Sequence, residues 1–203
     1  MQRLYEEQQA SVRVDGTLSD WFAIRKGARQ GCLVSPVSFN CYSEYIMRES
    51  ADDLTWIGVT FSGRTINNLR YADDIVLIAQ SPQALQTLLD KVEAVSREYG
   101  LEINTKKTKV MKKEQIVIIC QGQELEQVET FKYLDAIITE NDDCSKEIQA
   151  RLGAARGAER SLHSLWKDRS LHVKVKQRLL STLVWTVVLY GCETWRIKAV
   201  DVR

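Results

Sequence analysis

The chain has 203 residues, 44% hydrophobic and 27% charged, enough for one or two domains with a core. Its net charge of +1 announces no partner of either sign. Five Cys without a Cys-x-x-Cys pair, and only two His, offer no disulfide framework, no zinc site and no basis for Ser-His-Asp or Cys-His catalysis. That cysteine usage fits a reducing, intracellular compartment. No signal peptide is read at Met1-Gln2-Arg3, and the longest apolar run, 12 residues over 179–190, is too short to span a bilayer, so no membrane partner is expected.

In chain order, 12–14 and 22–24 alternate on either side of Asp15-Gly16, which predicts a hairpin. Ser35-Pro36 reads as a capping Ser before a first-turn Pro, opening a helix with Phe39, Tyr42 and Ile46 on one face. Residues 57–61 and Ser62-Gly63 predict a second hairpin. Tyr71-Ala72-Asp73-Asp74 follows, ahead of an apolar run over 75–79. Ser81-Pro82 opens another helix with Leu85, Leu88, Leu89, Val92, Val95 and Tyr99 in a stripe, and Gly100 stops it. Residues 116–120 read as a strand turning at Gln121-Gly122, and 131–134 as a short strand. From Cys144 the pattern is helical. One stripe holds Ile148, Leu152, Ala155, Leu162, Leu165 and Trp166, and a second helix covers about 171–190. The chain divides into a mixed α+β part, 1–140, and a basic helical part, 141–203.

Asp73 and Asp74 are the chemical centre of this pattern. Two adjacent carboxylates between strand-formers repel unless a cation sits beside them, and hard oxygen ligands suit Mg²⁺ bridged to phosphates. The alternative is a polar hairpin turn, which Asp also favours. Two basic patches are candidate footprints for a phosphate backbone, with a solvated helix face as the alternative. One holds Lys106, Lys107, Lys109, Lys112 and Lys113. The other runs from Cys144 to Arg178 with nine Lys or Arg against three acids.

Four blocks occur in order: Arg29-Gln30-Gly31-Cys32-Leu33-Val34-Ser35-Pro36, Tyr71-Ala72-Asp73-Asp74, the run 100–109 from Gly100 to Lys109, and Phe131-Lys132-Tyr133-Leu134 with Leu189 to Trp195 beyond. The series resembles the reverse transcriptase of non-LTR (LINE-type) retrotransposons over nearly the whole chain. The resemblance implies an α+β fold: a truncated polymerase palm, with a small antiparallel sheet backed by helices, then an all-helical thumb. It implies Asp73 and Asp74 as metal-binding catalytic residues with Mg²⁺ as cofactor, and Lys107 as a catalytic lysine reaching the pyrophosphate. Arg29, Gln30, Gly31, Tyr71 and Ala72 would line the nucleotide site. Phe131, Lys132, Tyr133 and Leu134 would grip the primer. Lys106, Lys109, Arg151, Arg156, Arg160, Lys174, Lys176 and Arg178 would track the nucleic-acid backbone. The implied partners are an RNA template, a DNA primer and deoxynucleoside triphosphates.

Departures from the pattern carry their own expectations. The family usually has Gly where Asp135 stands, at a turn after the primer-grip block. Its first metal-binding Asp precedes the Gln-Gly loop on an apolar strand, whereas here only Asp15 and Asp20 precede Arg29, neither in such a setting. The chain is therefore expected to begin inside the palm and to be inactive alone. The alternative is a non-catalytic retrotransposon remnant that at most binds nucleic acid. A missing strand would also leave 75–78 with an unpaired edge, making 1–80 less stable than the C-terminal helices.

Overall fold

The computed structural model describes residues 6–24, 27 and 31–197. The chain forms two compact units, Met1–Ile103 and Asn104–Arg203. Both mix helices with small, mostly antiparallel two-stranded sheets, which is the expected α+β class.

In the first unit the Asp15-Gly16 turn forms, with φ of 48° and 84°. It joins Arg13–Val14 to Thr17–Leu18, not directly to 22–24 as expected. Phe22–Ala23 pairs further out, with Gln9–Ala10. The register slips by one residue between the two pairs, as a β-bulge requires. Ser62-Gly63 likewise turns Val59–Phe61 onto Arg64–Ile66.

Two helices pack against each other in this unit. Ser35–Ala51 buries Ser43, Ile46, Met47 and Ser50 along one stripe, while Tyr42 stays 39% exposed. Pro82–Glu98 starts where Ser81 Oγ accepts the Ala84 N–H at 3.2 Å, with Pro in the first turn. It ends at Gly100, φ 72°, where Leu101 N–H reaches the Ser96 carbonyl at 2.8 Å and Gly100 N–H reaches the Arg97 carbonyl at 3.0 Å. That is the Schellman arrangement, and it satisfies carbonyls a helix end leaves orphaned. Met47, Ile57, Ala84, Leu88 and Val92 form the core, with Leu54, Leu77, Ala79 and Ile103 packed against it.

The second unit opens with Lys109–Val110 paired in parallel to Glu126–Gln127. The predicted strand at 116–120 is regular only over Ile119–Cys120, which turns through Gln121-Gly122 onto Gln123–Glu124. Thr130–Tyr133 pairs with Ala136–Thr139. The helix Ser145–Ser161 follows. The stripe expected to run on to Trp166 is broken at Leu162, and His163–Lys167 is a separate short helix. The last helix runs from Val173 to Val188 with a π turn over Leu180–Val184. Its first turn is capped by His172 Nδ1, which accepts the Lys174 N–H at 3.1 Å. No helix among the described residues is long and apolar enough to cross a membrane.

Burial is unevenly shared. The Pro82–Glu98 helix buries Ala84, Leu88, Leu89, Val92, Val95 and Ser96. The C-terminal helices, expected to be the better protected part, leave Leu152, Val173, Leu183 and Trp185 40–63% exposed.

Candidate functional site

Asn68–Tyr71 and Asp74–Leu77 form an antiparallel hairpin with Tyr71 opposite Asp74 and Arg70 opposite Ile75. Ala72 and Asp73 are its two-residue turn, and Ala72 takes φ 52°. A positive φ at the first turn position is the sign pattern of a II′ turn, where Gly is the usual occupant because a Cβ is disfavoured there. The hairpin turn and the carboxylate pair are thus the same feature; the two sequence readings of it were not exclusive. Ala72→Gly is expected to raise hairpin stability by about 0.5–1 kcal/mol, the left-handed penalty less the entropy of glycine. Thermal unfolding of the two chains measures it, and a lower midpoint in the variant would show that Ala72 is unstrained.

Strand alternation assigns the faces. Leu77 packs into the core and Arg70 reaches the first helix, Nη1 to Glu44 Oε2 at 2.8 Å. Glu44 also accepts from Arg48 Nε at 2.7 Å. The Arg48 guanidinium foremost, and Arg70 with it, hold the Glu44 carboxyl below the usual carboxylate range. Asp74 shares the opposite face with Leu69, Tyr71 and Val76, away from the helices. Asp73 and Asp74 are exposed and make no ion pair among the described residues. Tyr71 is 65% exposed.

Two unneutralised carboxylates at one turn are a donor set of hard oxygens that fits a divalent cation whose other ligands are water or phosphate. Among the described residues no cluster of three or more His, Cys, Asp or Glu stands ready to hold a metal.

The other expected site residues fall as follows. Arg29 and Gln30 lie outside the described residues; Gly31 has φ 81°, with open space where a Cβ would stand. Lys107 is exposed in the second unit, in a turn where Asn104 Oδ1 accepts its N–H at 3.2 Å. Phe131, Lys132 and Tyr133 are on a strand and Leu134 begins its turn. Asp135, in place of the usual Gly, adopts φ 69°. Its carboxylate pairs with Lys132 Nζ at 2.5 Å and Arg151 Nη1 at 3.2 Å, which holds its pKa low, with Lys132 the larger cause.

Three expected backbone-tracking cations are already engaged. Arg151 is 9% exposed, its guanidinium taken up by Glu147 at 2.6 Å and by Asp135. Lys109 pairs with Glu126, and Lys176 Nζ donates to the Trp166 carbonyl at 2.8 Å. Lys106, Arg156, Arg160, Lys174 and Arg178 remain exposed without an ion pair among the described residues. The Glu147–Arg151 pair was missed, although its i,i+4 spacing was there to be read.

The pattern of the reverse transcriptase (RNA-dependent DNA polymerase) family matches residues 1–138. The chain belongs to that family. A transposon-derived protein of Caenorhabditis elegans is 33% identical over 141 residues, 66% of this chain and 50% of the relative. A retrovirus-related Pol polyprotein from type-1 retrotransposable element R2 of Nasonia vitripennis is 30% identical over 64% of this chain and 12% of the relative. One from type-2 retrotransposable element R2DM of Drosophila melanogaster is 33% identical over 53% and 10%. The resemblance to a retrotransposon reverse transcriptase is borne out. The chain spans half of the first relative and about a tenth of the other two. The reverse-transcriptase match ends within the Thr130–Thr139 hairpin, so the helices that follow lie beyond it.

Proposed function

We propose that this chain is a palm-and-thumb piece of a non-LTR retrotransposon reverse transcriptase, ancestrally catalysing RNA-directed DNA synthesis. The observation that carries the reading is the exposed, unpaired Asp73-Asp74 at the hairpin turn of a chain in this family. Asp73 and Asp74 would hold a divalent cation, Mg²⁺ by the hardness of their oxygens. When bound, that cation supplies charge neutralisation at the nucleotide phosphates. The remaining roles belong to the chain. Gly31 lets backbone approach a nucleotide, and Tyr71 presents its ring beside the primer terminus. Lys107 meets the departing pyrophosphate. Phe131, Tyr133 and Leu134 contact the primer strand. Lys132 is tied to Asp135 and must leave that pair to meet a phosphate.

The 203 residues by themselves do not polymerise on this reading, because two carboxylates on one turn are only part of a two-metal ligand set. Primer extension on an RNA template with Mg²⁺ or Mn²⁺ is expected to show no product. Extension that disappears in Asp73→Ala would overturn the inactivity and establish Asp73 at once. The metal site has a separate readout: Mn²⁺ should broaden the NMR signals of 71–74 in the parent chain and spare them in Asp73→Asn.

Nucleic-acid binding without catalysis is a second reading, favoured by the five free cations. Neutralising about five phosphates predicts a log–log salt slope of about −4 to −5 for an RNA–DNA hybrid. A slope near zero would show those side chains to be a solvated face.

A further inference from the structure

The Leu189 to Trp195 ending has no part in the chemistry above, yet it straps the second unit at two places. Tyr190 Oη donates to the Leu134 carbonyl at 3.1 Å, and the Arg151 guanidinium lies over the Tyr190 ring, 4.5 Å from its centroid. Arg151 continues to the same turn, donating to both the carbonyl and the carboxylate of Asp135. Glu147, 3% exposed, holds Arg151 in place and accepts the Ile137 N–H at 2.7 Å on the strand beyond the turn. Further along, Cys144 Sγ donates to the Thr194 carbonyl at 3.9 Å, and the adjoining Arg196 gives its N–H to Cys144 Sγ at 3.5 Å and its Nη1 to Asp142 at 2.5 Å. The strap therefore reaches both the hairpin turn and the start of the Ser145–Ser161 helix.

The turn needs such support. Leu134 and Asp135 have φ of 48° and 69°, the left-handed region that L residues avoid, and neither is Gly. The contacts that hold them come from residues 16 and 56 positions away. A two-residue turn sets the register of its strands, here Phe131 opposite Ile138 and Tyr133 opposite Ala136. A slip of one residue would send Phe131 and Tyr133 to the other face.

We propose that Tyr190, acting with Arg151, is a positioning residue that locks the Leu134-Asp135 turn and so fixes the face on which Phe131 and Tyr133 meet a primer strand. The primer contact rests on the reading under Proposed function; the lock on the turn does not. It also gives Asp135 a purpose. Gly at that position would relax φ but leave Lys132 without its carboxylate and Arg151 with Glu147 alone.

Tyr190→Phe in the full chain keeps the ring under Arg151 and removes only the hydroxyl. The amides of 134–137 are expected to exchange about three- to tenfold faster, the worth of one net hydrogen bond, while those of Ser145–Ser161 keep their rates. Affinity for a short RNA–DNA hybrid should fall in the same variant. Arg151→Lys, which keeps the charge but loses the planar fork and stack, should loosen the same amides. Unchanged exchange at the turn in Tyr190→Phe overturns the proposal, as does a uniform acceleration through the whole unit. A looser turn with hybrid affinity unchanged in both Tyr190→Phe and Phe131→Ala keeps the lock and overturns the primer contact.

Discussion

Arg151→Ala is expected to destabilise the second unit by about 3–5 kcal/mol, the cost of breaking a buried ion pair from one side. Glu147 is 3% exposed and would keep its carboxylate without a counter-charge. The Asp135 carbonyl would lose its Arg151 donor, and the Tyr190 ring its cation. The penalty comes from the uncompensated charge, not from the worth of the pair. A double change, Glu147→Gln with Arg151→Met, should therefore recover most of the loss: the chain of Met fills the space, and Gln Oε1 can still accept the Ile137 N–H. Urea dependence of amide exchange within Thr130–Thr139 reads the effect in this unit alone. A cost below about 1 kcal/mol for Arg151→Ala would mean a solvated guanidinium, as the charge pattern of the helix implied.

Gly58→Ala is the second large effect, with an expected cost of about 3–5 kcal/mol, near the upper end for a single change. Gly58 has φ 128°, and a Cβ there would lie 2.5 Å from the Ile66 carbonyl oxygen and 2.8 Å from its carbon. Both are backbone atoms, so no rotamer change relieves the contact. The Gly58 N–H also donates to Gln80 Oε1 at 2.9 Å, and Gln80 Nε2 to the Trp56 carbonyl at 3.1 Å. Gly58 thus sits where the chain enters and leaves the Asp73-Asp74 hairpin, and moving Ile66 would disturb Asn67 and Asn68 beyond it. Gly63→Ala is the control. Its φ is 77°, but nothing lies within 4 Å of the added Cβ, so only the conformational cost of about 1–2 kcal/mol applies. Equal unfolding midpoints for the two variants would show that Gly58 is required for its φ alone.

The hairpin turns were legible because local chemistry decides them. Asp15-Gly16, Ser62-Gly63 and Gln121-Gly122 all turn as read, each with both residues at positive φ. The Ser81-Pro82 start and Gly100 stop held for the same reason: a cap and a terminator act within one helical turn. The order of the motifs placed the chain in its family. Partners distant in the chain were not legible. Phe22–Ala23 paired with Gln9–Ala10 because a bulge, which no residue type announces, shifted the register. The C-terminal helices carried an amphipathic pattern, but periodicity marks a face without saying what covers it, and Leu183 and Trp185 remain 45% and 50% exposed. Charge alone left the surroundings of Arg151 unread. Among nine cations on a basic segment it read as one more phosphate contact. Glu147 was in reach along the helix, but only folding brought Asp135 and Tyr190 around Arg151, and such partners offset the desolvation cost of a guanidinium taken from water.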